Sequence, residues 1–523
     1  MSANQGAAIP ATEATNPWLI AIVVALAAFM EVLDTTIANV ALNYIAGGLG
    51  VSEDEASWVV TTYLVANAII VTATGFLANR FGRKTFFLAC LGLFTVSSVL
   101  CGIAWNLQAL LVFRLLQGFG GGGMVPVAQS ILADSFPPAK RGQAFALFGV
   151  AVVVAPVVGP TLGGWLSDNA SWQWCFLING PVGIVSMALV YMLVKDARPT
   201  GNGARFDWGG FMLVAAFLGA LEFILDRGQQ DDWFGSNVII TFTCISALAA
   251  LLLIPWEAGR SNAVVDLKMM ATRQFGACFL VMGATGAILL ATTQFVPQLV
   301  QGNFGYTATW AGLVLSPGGV VTLVMMFVTG QLSSRVQPKY LIAIGASIIA
   351  LSMYVMTNIN PDSGFWFFVQ ARMLSSVGLP LIFVPIMAAS YDGIPPHKTD
   401  QASALLNAAR NTGGSIGVSL ASNVLAHRAQ FHQSALAAYA IPSGISYQQT
   451  VQQLTNYFAA QGSSLTQASQ QAIAWIGQQI QTQASLLAYI DVFWTLMLVS
   501  ASAIPLALLL RNVKLGGEAH MGH

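Results

Sequence analysis

The sequence predicts an all-α membrane protein of fourteen transmembrane helices, built as two six-helix bundles with two helices inserted between them. Three observations lead there. Only 8% of the 523 residues are charged and 56% are hydrophobic, whereas charged residues make up about 25% of an average soluble protein. The apolar residues fall in runs of about 20, the length a helix needs to cross roughly 30 Å of hydrocarbon. A short motif also recurs once in each half of the chain. The 21 basic residues balance 21 acidic ones without a basic cluster, which removes the electrostatic footprint of nucleic-acid binding. Cys90, Cys101, Cys175, Cys244 and Cys278 lie in or beside apolar runs without paired spacing, so neither a disulfide framework nor a metal site is expected.

In chain order, residues 1–16 are expected to be a cytoplasmic tail, and they lack the basic region of a cleavable signal peptide. Spans are expected near 17–41, 56–78, 85–104, 107–131, 141–167 and 173–194, which make the N-terminal half, 17–194. The inserted pair, 207–226 and 236–257, fills 207–257. The C-terminal half, 275–510, holds 275–300, 307–330, 338–357, 364–391, 401–427 and 486–510, and 511–523 is a second cytoplasmic tail. With the N-terminus inside, sixteen of the 21 Lys and Arg fall on the inner side and only Arg227 and Arg428 on the outer, while Arg114, Arg372 and Arg410 lie within spans. This satisfies the positive-inside rule, which one missed or extra helix would scramble.

The repeat supports the same count. GFLANRFGRK (Gly75–Lys84) follows the second span and GQLSSRVQPK (Gly330–Lys339) the tenth. An intramembrane Arg follows each, Arg114 at 39 residues from Gly75 and Arg372 at 42 from Gly330. Paired halves are a transporter signature, with the substrate site between them.

Five strings resemble the fourteen-helix drug:proton antiporters of the major facilitator superfamily, EmrB/QacA type: VLDTTIANVAL (Val32–Leu42), GFLANRFGRK, RLLQGFGGGG (Arg114–Gly123), APVVGPTLGGWL (Ala155–Leu166) and WQWCFLINGPVG (Trp172–Gly183). The resemblance implies the major facilitator fold and export of hydrophobic or cationic drugs across a bacterial inner membrane, driven by the proton gradient and without a cofactor. It assigns Gly75, Asn79, Arg80, Gly82, Arg83 and Lys84 to a loop that latches the halves, and Pro156, Gly159, Pro160 and Gly163 to a bent fifth helix that favours exchange over leak. Asn79 stands where the family usually carries Asp. The residues also allow plainer readings: the basic loop as ordinary inner-face charge, and the small residues of the fifth span as tight helix packing.

A charge at mid-membrane is costly and marks function by default. Glu31 and Asp34 are three apart and share a helical face. One of them is expected to carry the proton, with Arg114 as its tuning partner; the alternative is an Asp34–Arg114 ion pair that locks two helices. Gln117 shares the face of Arg114. Glu222 is either a cavity carboxylate that attracts cationic cargo or the solvated outer end of its helix. Arg372 and Arg410 are expected to cap carbonyls or pair helices. Phe29, Met30, Tyr63, Phe295, Met325, Met326 and Phe383 are candidates for an adaptable cargo pocket, with core packing as the competing role of each.

Two enzyme patterns match by chance: Gly118–Gly123 fits a dinucleotide fingerprint without a preceding strand, and Gly413–Gly417 a nucleophile elbow inside a span. No Walker A string occurs, so transport must draw on an ion gradient or a separate ATPase. An enzyme is not expected. An exporter of an endogenous metabolite, such as a siderophore or fatty acid, stays open, as does a non-transporting receptor or scaffold. Between Arg428 and Asp491 no residue is charged, and Gln430–Gln483 contains 14 Gln. The outer loop, 428–485, is a polar connector or, from Val451, Leu454, Phe458, Ile473, Ile476 and Ile480 at helical spacing, short helices on the outer mouth or on a partner. The resemblance implies that partner to be a periplasmic membrane-fusion adaptor with a TolC-type outer-membrane channel.

Overall fold

A computed structural model describes residues 16–195, 206–258, 260, 263–395 and 398–512. Both tails lie outside the described residues but for Asn16, Arg511 and Asn512, and so does His397. The helices are α1 (Pro17–Leu49), α2 (Glu53–Phe81), α3 (Arg83–Gly102), α4 (Leu107–Ser135), α5 (Pro138–Asn169), α6 (Trp174–Leu177), α7 (Asn179–Leu193), α8 (Trp208–Arg227), α9 (Asn237–Glu257), α10 (Leu267–Met270), α11 (Arg273–Phe304), α12 (Ala308–Leu332), α13 (Pro338–Met356), α14 (Phe365–Ser390), α15 (Thr399–Ala437), α16 (Ile445–Ala460) and α17 (Leu465–Leu508). No strand occurs among the described residues.

Local chemistry sets the ends. Ser52 and Glu55 form a capping box at the start of α2, and Asn106, Thr272 and Thr307 cap α4, α11 and α12 through their side chains. Gly50 closes α1 at φ +66°, and Gly82, at φ +86°, separates α2 from α3.

Twelve of the described helical segments are long and apolar enough to cross a membrane, with α6 and α7 counted as one, and α5, bent by 42° beyond Pro156, makes thirteen. The expected span at 401–427 lies in α15, which is not apolar enough to join them. It is long enough at 39 residues, but Asp400, Asn407, Arg410 and Asn411 depress its hydropathy. It is tolerated because that polar face meets α2, α4 and α8 of the protein instead of lipid.

Of the two readings of 428–485, a polar connector or helices, the helical one matches the structure. Residues 428–437 continue α15, and α17 already starts at Leu465, so 428–485 is mostly helix with short connectors at 438–444 and 461–464. The 44 residues of α17 span about 66 Å at 1.5 Å per residue, roughly twice the hydrocarbon thickness. Ser464 opens α17 with a capping box to Gln467, and α16 packs back along it. Glutamine is a good helix former, so Gln-rich polarity here is compatible with regular helix.

The repeat is visible in the packing. In the first half α1 lies on α5, α2 on α4 and α3 on α7; in the second α11 lies on α15, α12 on α14 and α13 on α17. The halves meet along two seams, α2 and α4 against α15, and α5 against α12 and α14. The inserted α8 and α9 pack on each other, and α8 covers the first seam by touching both α2 and α15. The repeated glycines mark the closest approaches: a Cβ on Gly75 would lie 2.9 Å from Gln401 Cα, and one on Gly330 would lie 2.9 Å from Ala146 Cβ. A larger residue at Gly75 therefore pushes α15 off α2, at an overpacking cost of about 1–3 kcal/mol. Gly75→Val is expected to shift the α2–α15 seam towards opening by about tenfold or more, read as maleimide labelling of a Ser403→Cys reporter that stays protected when Gly75 is kept.

Candidate proton-coupling site

Arg114 and Gln117 lie one turn apart on α4, whose glycine run lets the helix press on its neighbours; a Cβ on Gly122 would come within 2.6 Å of Asn67 O. The Arg114 side chain is fully buried. Its Nη1 donates to Asp34 Oδ2 at 2.7 Å and to Gln117 Oε1 at 2.8 Å, and its Nε donates to the Val59 carbonyl at 3.0 Å. Gln117 Nε2 and Asn179 Nδ2 donate to Asp34 Oδ1 at 2.9 and 2.7 Å. The guanidinium lies over the Tyr63 ring at 4.3 Å and faces Phe176 at 5.4 Å. Both oxygens of Asp34 are engaged, and four helices, α1, α2, α4 and α7, are tied at one point.

Glu31 shares the face of Asp34 but turns towards α2. Tyr63 Oη and Asn67 Nδ2 both donate to its Oε1 at 3.1 Å, and among the described residues Oε2 receives no hydrogen bond. It forms no ion pair there either; Arg410 of the opposite half is the cation that acts on it, from beyond contact distance. The link across the seam is neutral: Asn411 Nδ2 donates to Asn67 Oδ1 at 3.1 Å, and Arg410 donates to Asn411 Oδ1. Among the described residues Arg410 bonds no backbone carbonyl and forms no ion pair; its guanidinium is held by Asn411 of its own helix. Arg372 does join two helices, by donating to the Thr292 hydroxyl on α11 at 3.2 Å.

Along α15 these contacts form a ladder. Arg83 Nε donates to Asp400 Oδ1 at 2.7 Å and also pairs with Asp134 on α4. Ser403 and Asn407 donate to Gln129 Oε1 at 3.1 and 2.6 Å. Asn411 reaches Asn67, and Ser415 donates to Glu222. Glu222 is 3% exposed, so its alternative as a solvated helix end falls; Asp226, a turn further on, accepts from Thr61.

The motif residues fall at packing and latch positions. Arg83 spans the halves, Lys84 sits over the Tyr191 ring at 5.0 Å, Arg80 is exposed, and Asn79 donates to the Gly75 carbonyl at 2.8 Å. On α5, Gly159 faces Thr36 and Gly163 faces the Ile37 backbone of α1, while Pro156 and Pro160 lie in the bent stretch. Of the cargo candidates, Met30, Phe295, Met326 and Phe383 are buried in the core and Phe29 and Met325 are half-buried; Tyr63 serves Glu31 and Arg114. None of them lines the apolar groove of about 420 Å³ between α2, α8 and α9, walled by Trp58, Val65, Phe223 and Phe242. Sequence reasoning did not single out Asn67, Gln129, Asn179, Asn407 or Asn411. Their signal was neutral polar side chains inside spans, at i, i+4 spacing for 403, 407, 411 and 415.

The major facilitator superfamily model matches residues 24–418. Multidrug export protein EmrB of Haemophilus influenzae is 35% identical over 477 residues, 91% of this chain and 92% of that protein. Fatty acid resistance protein FarB of Neisseria gonorrhoeae is 36% identical over 440 residues, 84% of this chain and 87% of its own. Among solved structures, the proton:xylose symporter XylE aligns with a TM-score of 0.58 at 14% identity over 94% of this chain and 96% of its own, a likeness of fold.

Removing one partner of a buried ion pair leaves an uncompensated charge and costs about 3–5 kcal/mol. Asp34→Ala is therefore expected to lower the melting temperature sharply, and adding Arg114→Met is expected to restore most of the loss, as a double-mutant cycle in detergent would measure.

Proposed function

The chain belongs to the major facilitator superfamily, and from that premise we propose that it is a proton-coupled antiporter exporting hydrophobic or amphipathic drugs by alternating access. The observation that carries the coupling is Glu31: a buried carboxylate without a contacting cation, with one oxygen open to a proton, one residue removed from the opposite half through Asn67 and Asn411. Asp34, with both oxygens engaged, serves as the positioning partner of Arg114. In this reading the structure is closed at the latch end, where Arg83 and Asp400 join the halves. Protonating Glu31 removes the charge that Arg410 faces across the seam and loosens the halves; deprotonation draws them together again. One proton falling through about 100 mV releases roughly 2.3 kcal/mol, enough for a cargo gradient of about fiftyfold at 1.4 kcal/mol per decade.

The bias of basic residues supports an orientation with the latch end and both termini on the cytoplasmic side of a bacterial inner membrane. The stalk of α15, α16 and α17 then projects outward. It carries Tyr439, Ile441, Ile445 and Leu465 exposed on a segment with no Lys, Arg, Asp or Glu. That surface suits an adaptor that binds by packing and amide hydrogen bonds, and so a tripartite pump with an outer-membrane channel.

A second reading, export of a fatty acid, is favoured by the similarity to FarB. Against it, the buried Glu31 and Glu222 favour cationic over carboxylate cargo. Parallel uptake of a cationic dye and a long-chain fatty acid into inverted vesicles separates the two, and transport of the fatty acid alone would replace the drug reading.

Glu31→Gln is expected to cut proton-driven uptake in proteoliposomes by at least tenfold while cargo counterflow without a gradient continues. Wild-type, uncoupler-sensitive uptake by this variant would remove Glu31 from the coupling role. Replacing residues 438–464 by a short Gly/Ser linker is expected to leave proteoliposome transport intact and abolish resistance in cells; survival of both activities would make α16 a connector only.

A further inference from the structure

Arg372 is the second-half counterpart of Arg114, and its surroundings differ in one respect. In the first half, α4 packs against α1 and α3; Arg114 meets Asp34 of α1, Gln117 follows three residues along its own helix, and Ser98 of α3 stands behind through Asn179. In the second half, α14 packs against α11 and α13. Ser375 follows Arg372 by three residues, Ser352 of α13 bonds to the neighbouring Ala371 carbonyl, and the α11 residue that meets the guanidinium is Thr292. A hydroxyl stands where the first half has a carboxylate.

Among the described residues Arg372 forms no ion pair, and its one side-chain hydrogen bond goes to the neutral Thr292 hydroxyl. Arg372 Nε and the Ser375 hydroxyl are both buried without a hydrogen-bond partner, in residues 5% and 1% exposed. Both residues line a cavity of about 10 Å³ between α11, α13 and α14, together with Thr292, Ser352, Met353 and Phe368.

We infer that this cavity binds one small monatomic anion of the chloride class, which does for Arg372 what Asp34 does for Arg114. A guanidinium does not shed its proton in a protein, and a buried charge without a counter-charge is costly. The hydroxyls of Thr292 and Ser352 are committed to the Ile288 and Ala371 carbonyls. The lining groups both buried and unbonded are the Nε–H of Arg372 and the hydroxyl of Ser375, a donor set that suits an anion. The room is that of about one water-sized sphere, which excludes phosphate, sulfate and carboxylate ligands, while the cation on the wall excludes metal ions. Water fits the space but leaves the guanidinium uncompensated, so it is the rival occupant. The flexible Met353 side chain accommodates the larger radius of a halide.

The test is the melting of the purified full-length protein in detergent, followed by thiol labelling of its buried cysteines, in gluconate and in chloride at constant ionic strength. Chloride and bromide are expected to raise the melting temperature of the wild type saturably, by about 2 °C or more, and gluconate and sulfate to leave it unchanged. Thr292→Asp, which supplies a carboxylate from α11, is expected to melt in gluconate as high as the wild type does in chloride and to ignore added halide. Crystals of the wild type grown in bromide are expected to show an anomalous peak against Arg372 and Ser375, a measurement independent of whether the variant folds. Equal melting in gluconate and chloride without a bromide peak would overturn the inference in favour of water. An undiminished chloride effect in folded Thr292→Asp, or a bromide peak elsewhere only, would overturn it in favour of another site.

Discussion

A guanidinium with no exposed surface, inside a protein that has lipid for most of its surroundings, must bring its own solvent. Arg114 does this with Asp34, Gln117, the Val59 carbonyl and two aromatic faces. Because removing Asp34 would strand the charge, and Val59 and Asn179 tie α2 and α7 to the same pair, the positions of α1, α2, α4 and α7 are fixed relative to one another. The glycines of α4 follow from this constraint, since the arginine reaches Val59 only if α4 lies close against α2. The first half is thereby rigid at its centre, and a transport cycle has to move it as a body against the second.

The seam between the bodies is built from weaker parts. Along α15 the middle rungs are amide and hydroxyl contacts, Asn407 to Gln129 and Asn411 to Asn67, and the firm ion pair, Arg83 with Asp400, stands at one end. A neutral hydrogen bond contributes about 0.5–1.5 kcal/mol net, well below the cost of breaking a buried ion pair. An interface that opens and closes repeatedly is served by such rungs, provided water or the opposite helix replaces each lost partner. The low hydropathy of α15 is the sequence-level trace of that requirement.

What the sequence disclosed follows the same division. Charges in spans are conspicuous because they are costly, so Glu31, Asp34 and Arg114 stood out, and their placement in one region followed from helical spacing and the family motifs. The paired glycines, Gly75 and Gly330, emerged from the repeat, and both lie at close approaches of the halves. Asn67, Asn179 and Asn411 stayed hidden, because an amide barely lowers a hydropathy window and its partner is hundreds of residues away or in another helix. The choice between Glu31 and Asp34 was equally illegible, since it depends on which carboxylate the amides surround. In the Gln-rich stretch the apolar positions at helical spacing were the legible signal, and helix does run through it as the end of α15, as α16 and as the start of α17, but polarity, which ends a span by hydropathy, hid that α15 continues to 437 and that α17 starts at 465.

The two halves share a scaffold but not a charge balance. Within the spans, the first half and the inserted pair carry Glu31, Asp34, Glu222 and Asp226 against Arg114, while the second half carries Arg372 and Arg410; of its acids, Asp400, in the first turn of α15, pairs across the seam with Arg83, and Asp491, within α17, pairs with Arg428 and His432. In the proposed cycle the bodies attract across the seam while Glu31 is ionised, through low-dielectric protein that screens the attraction weakly. In that cycle protonation of Glu31 subtracts from the attraction and leaves the hydrogen bonds of the Asp34–Arg114 lock in place, because none of them is made to Glu31. One half can then stay rigid while its hold on the other varies, which is the physical condition for a proton to exchange places with a cargo and not simply leak through.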